Sequence, residues 1–406
     1  MFRTSYFLIF LLIHFNLEAR RGVWFTNVGS DIYDNKLNIE KALVEVKKLG
    51  FDSVYPAVWN KSQAFFRSRA ISEIFGKEAL QEYGDRDILQ EFVELGQKHG
   101  LEVIPWFEYG LKIPYALIVD GKKKITSGGR VLRELGWLSE KRNGEVEGPC
   151  EFGVCKAFLN PAHPGVQEFL IEVFEELSSY DVSGVQIDDH FSLYHEFGYD
   201  SHMRVAFDAE NYDFESEEEP EGIMNAFGSL NQLFGSATPG INFEDWRKNQ
   251  VRDLIFLVSD TVRENGRKFI LSPGGDNEFS TGKWQQDWLD LSRAGALDEI
   301  IVQVYRYSKN SFKATLNHPS LKEASRYQPM GVAVLAGLKG NAKVTGGAMV
   351  YQTREAEARG FEVSYFYYDT IRPRAVGKES QTQRNQRLGE IRRIFTGQDV
   401  LARRDD

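Results

Sequence analysis

Cysteine is almost missing from this chain: its 406 residues hold two, Cys150 and Cys155, in the stretch GPCEFGVCKAF. That scarcity excludes a disulfide-stapled scaffold, and a structural zinc site would need two further soft ligands that the neighbourhood lacks. If the chain is exported, the pair is expected to close a small loop as a disulfide. Positive charge is also in short supply. Lys and Arg number 49 against 59 Asp and Glu, a net −10 at pH 7, so no nucleic-acid partner is expected. Long apolar runs are missing apart from Tyr6 to Phe15, which is too short to span a bilayer as a helix. With Arg3 before it and Leu17-Glu18-Ala19 after it, residues 1–19 have the form of a secretory signal peptide. Export to the periplasm or the exterior is the expectation, with an uncleaved membrane anchor as the alternative. No long low-complexity tract argues for disorder.

What the chain does have is apolar and aromatic material for a large core: 42% hydrophobic residues, with 29 Phe, 17 Tyr and 7 Trp. Short β-rich runs recur at RGVWFTN (21–27), SVYPAVWN (53–60), EVIPWFEYG (102–110), GVQIDDH (184–190), FILSPGG (269–275), IIVQVYR (300–306), GVAVLAG (331–337) and VSYFYYD (363–369). Helical spacing separates them, as in Ile39, Leu43, Val46 and Leu49, in Val166, Phe169, Leu170, Val173 and Leu177, and in Leu254, Ile255, Val258 and Val262. Eight strands alternating with helices predict an α/β fold, a (β/α)8 TIM barrel occupying residues 20–398 before a short tail at 399–406. The last helix is expected within Gln381–Phe395, with Leu388, Ile391 and Ile394 turned to the barrel. Strands 3, 4 and 5 begin at 102, 184 and 269, so the third and fourth connections carry long insertions. The first holds both cysteines; the second holds an acidic run from Glu215 to Glu221, most simply a solvated loop.

Active sites of such barrels form at the carboxyl ends of the strands. Those ends are loaded with Trp24, Asn27, Trp59, Asn60, Trp106, Glu108, Tyr109, Asp188, Asp189, His190, Gln303, Tyr305 and Arg306. The blocks RGVWFTNVGS, YPAVWN, VIPWFEYG, FLNPAHPGVQEFL, YDVSGVQIDDHFSL and IVQVYR, in that order, resemble the signature blocks of the glycosyl-hydrolase-like family 10 over about residues 21 to 340. The resemblance implies an exported hydrolase of glycan, with members associated with peptidoglycan strands, and it gives weight to the Asp188-Asp189-His190 motif as a whole.

Glycoside cleavage uses one protonated carboxyl and one ionised carboxylate. Strand alternation turns Gln186 and Asp188 to one side and Ile187 and Asp189 to the other, which makes Asp188 the first choice for nucleophile and Asp189 the second. Glu108, among Trp106, Phe107 and Tyr109, is the expected general acid, because an apolar surround holds a carboxyl protonated. Asp276 and Glu278 are its rivals, and a fixed pair with Arg306 or a lysine is the structural alternative. His190 is expected to orient an acid or bond a sugar hydroxyl. Asn27, Asn60, Gln303 and Arg306 are candidates for hydroxyl recognition; Trp24, Trp59, Trp106, Tyr109 and Tyr305 are candidates for contact with sugar rings, with packing in the core as the equal alternative for the aromatics. No cofactor or metal is expected. Two other classes compete: a metal-dependent polysaccharide deacetylase built on Asp-Asp-His, and a barrel that binds glycan without cleaving it.

Overall fold

The computed structural model describes residues 20–210, 242–336, 346–372 and 380–396, and within them each of the eight expected strands is formed. The strands are β1 (Arg21–Phe25), β2 (Ser53–Asn60), a short β3 (Gln63–Ala64), β4 (Glu102–Val103), β5 (Trp106–Phe107), β6 (Lys112–Val119), β7 (Lys122–Ile125), β8 (Cys150–Glu151), β9 (Val154–Phe158), β10 (Gly184–Asp188), β11 (Lys268–Ser272), β12 (Glu299–Gln303), β13 (Met330–Leu335) and β14 (Glu362–Phe366). The third barrel strand is split into β4 and β5 by Pro105, which has no N–H to give the ladder. The parallel order β1-β14-β13-β12-β11-β10-β5-β2 returns to β1 through a β1–β2 pairing, so the barrel is closed. Most strands stop several residues before the sequence expectation, because their polar exits already belong to the rim loops.

The apolar stripes fall where helical periodicity puts them. Val166, Phe169, Leu170, Val173 and Leu177 are all buried on the helix Pro164–Ser179, whose proline occupies a first-turn position where no donor is needed. The helix Lys36–Lys48 buries Ile39, Leu43 and Val46, and Gly50 turns the chain at φ +84. Fully burying such a side chain stabilises the fold by roughly 1.5–3 kcal/mol. The final helix, Gln381–Thr396, packs Ile394 on the core and leaves Leu388 half-buried. The Ile391 side chain, residues 1–19, the acidic run Glu215–Glu221 and the tail 399–406 lie outside what the structure describes. Among the described residues no helix is long and apolar enough to cross a membrane.

Between the third barrel strand and its helix, the chain builds an antiparallel sheet in the order β7-β6-β9-β8. Cys150 and Cys155 face each other across β8 and β9 and form a disulfide. This sheet leans over the rim where the acids emerge. At the opposite, amino-terminal end, Arg20 reaches Glu102, Glu299 and Glu362, which head three other strands, and ties the barrel floor together.

Candidate active site

Strands β5 and β10 are direct neighbours, Gln186 beside Trp106 and Ile187 beside Phe107, so the residues that follow them leave the rim together. Gly110 makes the approach close. Its φ is +49, and a Cβ there would sit 2.5 Å from the Phe191 nitrogen, so the Leu111 N–H can donate to the His190 carbonyl at 3.2 Å. Gln286, buried, locks the same turn by donating to the carbonyls of Asp188 and Phe191.

Asp188 is 2% exposed and faces the barrel interior in register with Gln186. Its Oδ2 accepts from Trp106 Nε1 at 3.0 Å and lies 3.3 Å from His190 Nδ1; its Oδ1 accepts from the His190 backbone at 2.8 Å. His190 Nδ1 is also 3.0 Å from the Glu108 carbonyl. Both neighbours are acceptors, so Nδ1 carries the proton. The imidazole stacks on Tyr109 with centroids 5.3 Å apart. Asp189 is half-buried and accepts from Gln303 Nε2 at 2.9 Å.

Glu108 is half-buried, and its Oε2 accepts from Asn60 Nδ2 at 2.5 Å. Asn60 also donates to Asn27 at 3.0 Å, and Asn27 donates to Glu82 at 3.2 Å, a chain of amides that fixes the carboxyl. No ion pair joins Glu108 to Arg306 or to a lysine among the described residues, so the fixed-pair alternative is not what the structure holds; Arg306 donates to the Tyr305 carbonyl. Burial and then the Asp188 charge push Glu108 up to about 8. Burial also lifts Asp188, opposed by His190. For His190, burial alone would lower the value, but the Asp188 and Asp189 carboxylates override it and bring it to about 9. Near neutral pH the rim therefore presents a protonated Glu108 and a charged His190 in contact with Asp188. Tyr305 is pushed well above the usual phenol range by burial and by both aspartates.

The stacking candidates divide. Tyr109 and Tyr305 are half-buried beside the acids, whereas Trp24, Trp59 and Trp106 are 2%, 1% and 4% exposed and offer no open face. Trp24 lies inside the barrel against Tyr55, donating to Gln186 at 2.7 Å. Trp106 serves as a donor to Asp188. Trp59 points outward and stacks on Phe107 at 5.6 Å. Its displacement has a local cause: the β2–β5 register shifts between Ala57 and Trp59, and the bulge re-aims the strand so that Asn60 takes the inward place. Of the rival acids, Asp276 is exposed and caps the helix Asn277–Trp284 through the Phe279 N–H, and Glu278 is exposed in its first turn.

Ligand atoms of Asp188, Asp189 and His190 lie within 4.8 Å of one another. With Nδ1 protonated against Asp188 and the Glu108 carbonyl, only Nε2 of His190 is left to bind a cation. The spacing of residues did not single out Glu82, Gln286, Lys112 or Lys156. For the lysines a signal existed: each interrupts an apolar strand, in LKIPYAL and VCKAF.

A model of the family described as Glycosyl hydrolase-like 10 matches residues 19–353. The chain is 23% identical over 328 residues to the glycosyl hydrolase DigH of Escherichia coli strain K12, covering 71% of this chain and 66% of DigH. It is 21% identical over 263 residues to the glycosyl hydrolase YngK of Bacillus subtilis strain 168, covering 62% of this chain and 42% of YngK. Those relatives are thus longer than the part this chain spans. Among solved structures, the glycoside hydrolase domain of PgaB (BpsB) from Bordetella bronchiseptica superposes with a TM-score of 0.55 at 11% identity, covering 89% of this chain and 100% of that one. The catalytic domain of β-amylase from Paenibacillus polymyxa gives 0.53 at 10% identity, covering 92% and 98%. At these identities the likeness is one of fold.

Proposed function

This chain belongs to the glycosyl hydrolase-like 10 family, and from that premise we propose that it cleaves O-glycosidic bonds of a bacterial polysaccharide, peptidoglycan glycan strands, by a two-carboxylate mechanism. One observation carries the proposal: a half-buried carboxyl, Glu108, held protonated near neutral pH by burial and by the charge of Asp188 across the β5–β10 rim.

In this mechanism Glu108 gives its proton to the leaving glycosidic oxygen, with Asn60 fixing the direction of transfer. Asp188, ionised against His190, supplies the negative charge that attacks the anomeric carbon or activates water. A second assignment, Asp189 in that role, is favoured by its more open side chain, one oxygen of which is bonded to Gln303. Tyr305, half-buried beside the acids, is the ring proposed to meet a sugar, while Tyr109 supports His190. The residue 1–19 segment and the Cys150–Cys155 disulfide support export to an oxidising compartment.

The test is mass spectrometry of products from purified peptidoglycan strands, with and without stem peptides. New reducing ends that depend on Glu108 are expected. Release of acetate without chain cleavage would give the deacetylase instead, and binding without any product would give the non-catalytic barrel. Asp188→Gly and Asp189→Gly, each assayed with added azide, separate the two assignments: a glycosyl azide of inverted anomeric configuration forms only where the lost carboxylate was the attacking group.

A further inference from the structure

Lys112 and Lys156 are 7% and 5% exposed, an unusual degree of burial for ammonium groups without a carboxylate partner. They sit on the paired strands β6 and β9 of the side sheet. Lys112 donates to the Tyr194 hydroxyl at 3.3 Å, and Lys156 to the Tyr109 hydroxyl at 3.4 Å. The Lys156 ammonium also lies 4.5 Å from the centre of the Tyr109 ring, the ring on which His190 stacks. Neither lysine is ion-paired among the described residues. Burial and the neighbouring Lys112 bring Lys156 down to about 8, the mark of an amine short of counter-charge.

Lys61, at the rim after Asn60, adds a third amine close enough to act on both Glu108 and Lys156. Lys112 in turn acts on both Lys156 and His190, so the amines adjoin the acid cluster of Glu108, Asp188 and Asp189, with Glu151 exposed beside Lys156. Two amines are thus buried on neighbouring strands of one sheet, each bonded to a neutral tyrosine hydroxyl, and such burial is unfavourable unless an anion joins them.

We propose that Lys112 and Lys156 form a subsite for a free carboxylate carried by a sugar next to the bond that is cut. The subsite deepens the glycosidase reading and rests on it. The two ammonium groups bind the carboxylate, and Tyr109 links the subsite to His190 and Glu108. A glycan whose carboxyls are amidated or reduced lacks that anchor.

The experiment compares peptide-free glycan strands with the same strands after reduction of their carboxyls to alcohols. The wild-type protein should favour the untreated strands by about tenfold or more in kcat/KM, the effect of one charge-assisted hydrogen bond. Lys112→Met and Lys156→Met should bring that ratio toward one, and Lys156→Arg should preserve most of it. A lysine needed only for packing would lower the folded fraction, followed by circular dichroism, without changing the ratio. Equal turnover of both strands by the wild type overturns the subsite and leaves the glycosidase standing. If neither strand is cut, the glycosidase reading fails, and calorimetric binding of the two preparations decides the subsite: a preference for untreated strands supports it, and equal or absent binding overturns it.

Discussion

Replacing Arg20 with Met should destabilise the barrel by about 3–5 kcal/mol, the usual cost of removing one partner from a buried ion pair. The guanidinium is bonded to three carboxylates of unequal burial: Glu299 at 4% side-chain exposure, Glu362 at 31% and Glu102 at 43%. The two outer pairs are solvated and contribute less than about 1 kcal/mol each, so the loss comes almost wholly from Glu299, left charged at the foot of β12. Urea unfolding at pH 7 measures it as a lower midpoint at unchanged slope. Two controls sharpen the test. The double change Arg20→Met with Glu299→Leu should recover stability to within about 1 kcal/mol of wild type, since an apolar pair can replace a buried ionic one. The single variant should also lose less at pH 5 than at pH 8, because burial already lifts Glu299 and it takes up a proton once the guanidinium is gone. A loss below about 1 kcal/mol for Arg20→Met, or no recovery in the double variant, would refute the account of the barrel floor.

Glycan cleavage should fall as pH rises through about 8, where Glu108 loses its proton; Glu108→Gln should lower kcat by about 10²–10⁴ and abolish that alkaline limb, measured as kcat against pH on peptidoglycan strands. Stability should also fall with rising pH. Glu108 and His190 both have folded values above their unfolded ones, about 8 and about 9, so the folded state binds more protons; the Glu108 contribution is lost as pH climbs to about 8 and that of His190 between about 6.5 and 9, visible as a declining urea midpoint across that range. Gly110→Ala should reduce turnover at least tenfold and lower stability by about 1–2 kcal/mol, since a Cβ at φ +49 meets the Phe191 backbone at 2.5 Å; wild-type kinetics in that variant would show that the two rim segments need not approach so closely.

The barrel was legible because its information is local and repeated: each strand is a short apolar run, and each helix carries a stripe such as Val166 to Leu177. Alternation also placed Gln186 and Asp188 toward the interior. It could not decide between core and cleft for Trp59, because a bulge, which adds one residue to one strand only, leaves no mark in a single sequence. Trp24 and Trp106 stood at strand ends where an open ring and a core position were equal alternatives, and the structure takes the core; burial depends on what closes over them, and that comes from segments far away in the chain. Asp276 looked like a site acid for the same reason; its side chain is spent on a helix N-terminus. The partners of Glu108 show the same limit. Asn60 was within reach of strand reasoning, but Glu82 enters only through folding of the loop after β3.

The side sheet and the barrel reach the rim by separate routes. Proton transfer is assigned to residues anchored in the parallel staves, while charge selection is assigned to amines delivered by an appended hairpin stack between residues 112 and 158. Divergence can therefore exchange that appendage, and with it the class of saccharide accepted, while the acid and its aspartate stay in place. A chimaera built at those two junctions would inherit its appetite from one parent and its chemistry from the other.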